Sequence, residues 1–200
     1  MFREVTTRET LRADTRFSCS QVNSFSQSGN TFAVGGLERN LMVFDIRKFG
    51  NSKNPRSASK PPKTVAMKHF GGSINSSFFS PSGSHLLTTS TDDVLTITPA
   101  SALQGELGGK ESQSLKHDNH TGRWLATFMA RWHPSHDVFV VGCMKQPRRV
   151  EIFGADGKGR FGIKAECKGD VVSAVCSRNV FHRTERRAAG GNSSGRVVLF

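Results

Sequence analysis

The chain of 200 residues contains no CxxC pair: Cys19, Cys143, Cys167 and Cys176 lie 124, 24 and 9 residues apart. That spacing points to neither a zinc ribbon nor a disulfide framework. No apolar run approaches the length of a spanning helix, and the start, Met1-Phe2-Arg3-Glu4-Val5, has no apolar signal-peptide core. Catalytic signatures are missing as well: there is no nucleophile elbow, Walker loop or zinc-protease helix motif. Gly154-Ala155-Asp156-Gly157-Lys158-Gly159 precedes no helical pattern, so it reads as a hairpin turn and not as a dinucleotide fingerprint. Acids are scarce, 16 against 28 Lys and Arg, for a net charge of +12. Both halves share the excess: 12 basic and 7 acidic residues in 1–100, 16 and 9 in 101–200. A polyanion is the natural partner of such a surface, nucleic acid before membrane. With 36% hydrophobic and 22% charged residues, the chain is too apolar to be wholly disordered and long enough to bury a core. It reads as intracellular and soluble, with no enzyme chemistry, no cofactor and no membrane partner.

What is present is a repeat. Phe25-Ser26-Gln27-Ser28-Gly29 leads to Thr31-Phe32-Ala33-Val34-Gly35-Gly36 and then Leu41-Met42-Val43-Phe44-Asp45-Ile46-Arg47. Phe79-Ser80-Pro81-Ser82-Gly83 leads likewise to His85–Ser90 and Val94–Thr98, and Trp132-His133-Pro134-Ser135 to Val138–Gly142 and Val150–Phe153. A degenerate fourth copy runs Val171–Cys176, Ala188–Gly191 and Arg196–Phe200. Phe25, Phe79 and Trp132 are spaced by 54 and 53 residues, more than the roughly 40–45 of a WD-type blade. The surplus falls in a basic Pro/Ser loop at 48–64 and a polar connection at 99–123. No sustained helical stripe occurs, while β-branched and aromatic runs recur between turn residues. The expected fold is all-β.

These features resemble the WD-repeat β-propeller. Ser80-Pro81-Ser82-Gly83 matches the turn between a blade's second and third strands, and Phe44-Asp45 stands where the Trp-Asp dipeptide would close a third strand. Gly35-Gly36, Thr89-Ser90 and Gly190-Gly191 fill the small-residue end of second strands. True Trp-Asp and Gly-His dipeptides are absent. The expected organisation is a strand remnant or tail at 1–16 and propeller blades over 17–200, at about 17–47, 65–100, 117–155 and 160–200. Four blades rarely close a single-chain ring, so the chain reads as the C-terminal part of a larger, seven-bladed propeller or as a shortened gene product.

A more specific stretch is His117-Asp118-Asn119-His120-Thr121-Gly122-Arg123-Trp124-Leu125 with Ala130-Arg131-Trp132-His133-Pro134. Together with Lys145–Phe153, Ala188–Gly195 and the Phe-Asp-Ile-Arg tetrapeptide at 44–47, it resembles the WD-repeat family of WD repeat-containing protein 76 and its fungal DNA-damage-binding relatives. That family is akin to the small subunit of the damaged-DNA-binding complex. The resemblance implies a nuclear protein of the DNA-damage response that binds duplex DNA, intact, damaged or mismatched, by one mouth of the propeller. The other mouth would hold an adaptor, the large damage-binding subunit of cullin-4 ubiquitin ligases. A scaffold that binds peptides or histone tails without touching DNA is the alternative.

Site candidates follow. Gly122, Arg123 and Trp124 fall, by the resemblance, at the tip of a hairpin that wedges into the duplex; Gly permits a tight turn, Arg meets phosphate or minor-groove edges, and Trp stacks on bases. The competing reading buries Trp124 in the propeller. Lys145, Arg148 and Arg149 suit phosphate contacts, or a solvated charge run. Seven basic residues and no acid separate Ile46 from Thr91, as an electrostatic arm or a solubilising linker. Phe44, Asp45 and Arg47 resemble the Trp-Asp-x-Arg adaptor box, in which the Asp positions the Arg for acidic groups on the adaptor. His117-x-x-His120 and His133-x-x-His136 imitate metal pairs, but no Cys accompanies either closely and a zinc site wants about four convergent ligands, so no metal is expected.

Overall fold

In a computed structural model, residues 21–36, 39–48, 64–103, 105–106, 112–119, 121–122, 125–192 and 194–200 are described. The stretch 1–16 and nearly all of the loop 48–64 lie outside them. The described chain is built of four sheets. The first takes β1 (Gln21–Phe25), β2 (Thr31–Gly35), β3 (Asn40–Asp45) and β4 (Thr64–His69) in that order, all antiparallel. The second is β5 (Ile74–Phe79), β6 (His85–Ser90) and β7 (Val94–Pro99); the short β8 (Gly105–Glu106) then returns to pair parallel with β4, and β9 (Gln113–Lys116) completes the second sheet. The third comprises β10 (Arg131–Trp132), β11 (Val138–Cys143), β12 (Arg149–Ala155) and β13 (Phe161–Lys168). The fourth has three described strands, β14 (Cys176–Phe181), β15 (Ala188–Asn192) and β16 (Val197–Leu199). The architecture is all-β, a succession of WD-type propeller blades, as the repeats implied.

The repeat is visible in backbone detail. Each of β1, β5 and β14 carries a bulge near its start, between Gln21 and Asn23, Ile74 and Ser76, and Cys176 and Arg178. An extra residue there bends the inner strand and raises its twist, so three blades are coiled by one device. Two corrections to the sequence reading emerge. Ser80-Pro81-Ser82-Gly83 joins the first and second strands of its sheet, β5 and β6, not the second and third; Gly83, at φ 74°, supplies the left-handed residue of that turn. Val171 and Val172 belong to a 3-10 turn, Asp170–Val172, that follows Gly169 at φ 88°, and the inner strand starts only at Cys176.

Three cores join neighbouring sheets. Ala33, Leu41, Val43 and Ala66 of the first meet Ile74 and Leu86 of the second. Leu87, Leu95 and Ile97 of the second meet Phe128, Phe139, Val141, Phe153 and Phe161 around the third, where Phe139 and Phe153 stack at 4.9 Å. Val140 and Val150 pack on Val172 and Cys176 beside the fourth. Polar ties cross the same seams: Trp132 Nε1 donates to the Phe78 carbonyl at 2.9 Å, and the Ala130 amide to Thr89 Oγ1 at 3.1 Å. Gln113 clasps the Phe161 backbone through both its side-chain atoms, at 2.7 and 2.8 Å.

The seam between third and fourth sheets is closest at Gly142, where an added Cβ would stand 1.8 Å from the Cys176 carbonyl oxygen. The neighbour is backbone and cannot swing away. Gly142→Ala should therefore destabilise by about 3 kcal/mol, read as a lowered denaturation midpoint. Gly157→Ala, at a hairpin turn with nothing within 4 Å of the new methyl, should leave the midpoint in place; equal effects of the two would place the close approach elsewhere.

Candidate nucleic-acid and adaptor surfaces

Antiparallel pairing sorts the connections onto two faces. First-to-second and third-to-fourth strand connections share one face; second-to-third connections and the links between sheets share the other. Arg47 follows β3 and lies on the first of these faces. Gly122, Lys145 and Arg148 lie on the second, in the link before β10 and the turn after β11. The two sets of candidate residues thus occupy opposite ends of the blades.

On the Arg47 face, Asp45 is buried at the end of β3 and Phe44 stacks on Phe32 at 5.3 Å. The Asp45 carboxylate accepts from Arg47 Nε at 3.0 Å, Nη2 at 2.8 Å and the Arg47 amide at 2.9 Å. The hydrogen bond and charge of Asp45 raise the guanidinium above its ordinary pKa. Its side chain is still 66% exposed, so a fixed cation with spare donors projects from a rigid base. Phe in place of Trp in the tetrapeptide is absorbed by that aromatic stack.

On the other face, the link that carries Gly122 is anchored at its base. The His117 amide donates to the Asp93 carbonyl at 2.9 Å, the Asn119 amide to Asp93 Oδ1 at 3.0 Å, and the Met144 amide to the Asp118 carbonyl at 3.0 Å. Gly122 is exposed, with nothing within 4 Å of an added Cβ, and its carbonyl accepts from the Leu125 amide at 3.1 Å. Arg123 and Trp124 lie outside the described residues. Phe128, fully buried, ends the link by entering the core between second and third sheets.

The basic turn is less uniform than its sequence. Lys145 is exposed. Arg148, half-buried, donates from Nη1 to the Met144 carbonyl. Arg149 lies 3.2 Å from Glu166 and 3.9 Å from Glu151, and also donates to the Gln146 carbonyl at 3.3 Å. Its charge is matched within the third sheet. Lys168 and Arg149 together hold the Glu166 carboxyl below its usual value.

Sequence reasoning missed one cluster. His117, Cys143 and Glu151 are all buried, with their ligand-type atoms within 4.8 Å of one another. His117 Nε2 is 3.2 Å from Glu151 Oε2, and the imidazole packs edge-on against Phe128 and Phe153. Burial pushes the Glu151 carboxyl up, but His117, the Cys143 thiol and Arg149 outweigh it and hold the group below its ordinary value; burial raises the Cys143 thiol. The three residues sit on a link and two different strands, so no spacing rule announces them. The Arg149 guanidinium approaches the same carboxylate, and the buried cluster packs at the base of the link. Of the imitated metal pairs, His120 is outside the described residues, and His133 and His136 face each other with Nδ1 atoms 3.1 Å apart.

No family model matches the chain. It is 32% identical over 195 residues to WD repeat-containing protein 76 of Xenopus laevis, covering 92% of this chain and 31% of that protein. It is 30% identical over 183 residues to DNA damage-binding protein CMR1 of Chaetomium globosum, covering 84% of this chain and 32% of that one. Among solved structures, the Cps50 (Swd1) β-propeller domain of Myceliophteria thermophila superposes with a TM-score of 0.60 over 90% of this chain and 53% of its own, at 13% identity. The chain spans about a third of the length of the curated relatives it matches.

A group whose carboxyl is depressed in the fold stabilises it above its ordinary value, here 4.5, and that contribution is lost as pH falls through the folded value. Glu151→Gln should therefore cost about 3 kcal/mol at pH 7, and the gap to the parent should narrow steadily below pH 4.5. A gap that is constant between pH 3 and 7 would show that the charge of Glu151 contributes nothing.

Proposed function

The chain belongs to the WD-repeat family of WD repeat-containing protein 76 and the fungal DNA damage-binding proteins, and from that premise we propose that it is a non-enzymatic nuclear protein of the DNA-damage response that binds duplex DNA and docks on a cullin-4 adaptor. The observation that carries the reading is the separation of two differently built faces. One carries Arg47, a cation fixed by the buried Asp45 carboxylate and suited to an acidic docking site, alongside exposed basic residues in the turns after β12 and β14. The other bears a link anchored at its base, with Gly122 exposed, and a basic turn. The name of the fungal relative, DNA damage-binding protein CMR1, supports the damage context of this reading.

On the DNA face, Lys145 and Arg148 meet backbone phosphates, with Arg149 aligned by its two carboxylates at the edge of the same turn. Such contacts give affinity without sequence preference. Gly122, Arg123 and Trp124 form the wedge, whose stacking is worth most where base pairs are already weakened. On the adaptor face, Phe44 and Asp45 position and Arg47 engages. Histones are further partners consistent with a chromatin setting.

Replacing Lys145, Arg148 and Arg149 by Ala should weaken binding to all duplexes alike and flatten the slope of log affinity against log salt by about one unit per lost phosphate contact. Absence of duplex binding by the parent at low salt would leave the peptide or histone scaffold as the function. Arg47→Ala should reduce adaptor co-purification by about tenfold, the worth of a charge-assisted pair, with duplex affinity preserved. Joint loss of both activities in that variant would contradict two independent faces.

A further inference from the structure

Two further cations stand between those faces, on the inner strands. Arg131 is on β10 and Arg178 on β14, and the backbones meet where Met129 bridges Arg178 in parallel. Because side chains alternate along a strand, Met129 and Arg131 point to one side, the side to which Arg178 also belongs. Both arginines line one groove of about 490 Å³, with Met129, Asn179, Gly190 and Gly191 among its walls. Each is held in place by an uncharged neighbour. The Arg131 guanidinium lies over the Phe78 ring, 4.1 Å from its centroid, and Arg178 Nη1 donates to Met129 Sδ.

Neither guanidinium has a carboxylate partner among the described residues, whereas Arg47, Arg160 and Arg187 each have one and Arg149 has two. Partial burial lowers both arginines from their ordinary value, and for Arg131 the like charge of Arg178 adds to it. Two mutually repelling cations lining one groove are a poor arrangement alone and a good one around an anion. The planar forks of two arginines match the oxygens of a phosphate.

We propose that Arg131 and Arg178 form a clamp for one phosphate group, carried by a small phosphate compound or by the backbone of a single nucleic-acid strand. The clamp lies on the inner strands, with Arg131 at the start of β10 and Arg178 at the third residue of β14, and not in the turn after β11. It is therefore a separate site from the basic turn at 144–148 and does not depend on duplex binding. Gly191, paired with Arg178 across β14 and β15 and with nothing nearer than 4.0 Å to an added Cβ, leaves that wall low enough for a ligand to approach backbone.

The test uses the full chain and two probes, inorganic pyrophosphate and a single-stranded oligo-dT, titrated at low salt with calorimetric readout. Binding of pyrophosphate identifies a small compound as sufficient; binding of oligo-dT alone identifies the strand. In either case Arg131→Gln with Arg178→Gln should weaken that binding by about tenfold or more, and each single variant should weaken it less. The double variant relieves repulsion, so its thermal midpoint without ligand should equal or exceed the parent's, and pyrophosphate or oligo-dT should raise the parent's midpoint alone. Failure of the parent to bind either probe, or equal binding by parent and double variant, overturns the clamp. Duplex binding that survives in the double variant while the clamp fails would leave the proposed function standing.

Discussion

A twisted sheet has two faces, and in this chain each face that is covered is covered by the next sheet. Everything else depends on that constraint. Burying one Leu, Val or Phe contributes about 1.5–3 kcal/mol, and a net hydrogen bond about 1. The seam between second and third sheets buries ten apolar residues, so packing outweighs the few bonds that cross it. Those bonds set register instead. Trp132 to the Phe78 carbonyl and Gln113 to the Phe161 backbone fix how far one sheet slides on the other. The functional surfaces inherit their positions from this register, because each turn stands at the end of a strand whose depth is already set.

The sequence disclosed the second and third strands of the blades better than the others. β2, β3, β6, β7, β11 and β12 are flanked by turn residues and bury much of their length, so their apolar residues stand out. The fourth strands escaped. β9 alternates only between half-buried and exposed, and β13 is exposed over most of its eight residues. An edge strand that meets water on both sides has little reason to carry a periodic apolar signal. Cys176 marks the other failure: valines at 171 and 172 look like strand, yet a glycine at positive φ turns the chain before them.

For the candidate sites, single linear motifs were legible and assembled ones were not. Phe44, Asp45 and Arg47 are neighbours in sequence, and the Asp45–Arg47 pairing follows from two residues of separation. The basic run at 145–149 is just as plain in the sequence, but the carboxylates that neutralise Arg149 come from β12 and β13. His117, Cys143 and Glu151 meet only because the link before β10 folds back over β11 and β12. Charge counted along a chain overstates the charge that a surface presents.

The seams are unequal. Ten buried residues join the second and third sheets and eight the first and second, against four between the third and fourth. Val197 and Leu199, 73% and 70% exposed, show that the far side of the fourth sheet meets no neighbour among the described residues. In a linear array, each unit is held only by the units beside it. Local opening will begin where the seam is thinnest. Amide exchange across β14–β16 will run ahead of that in β11 and β12.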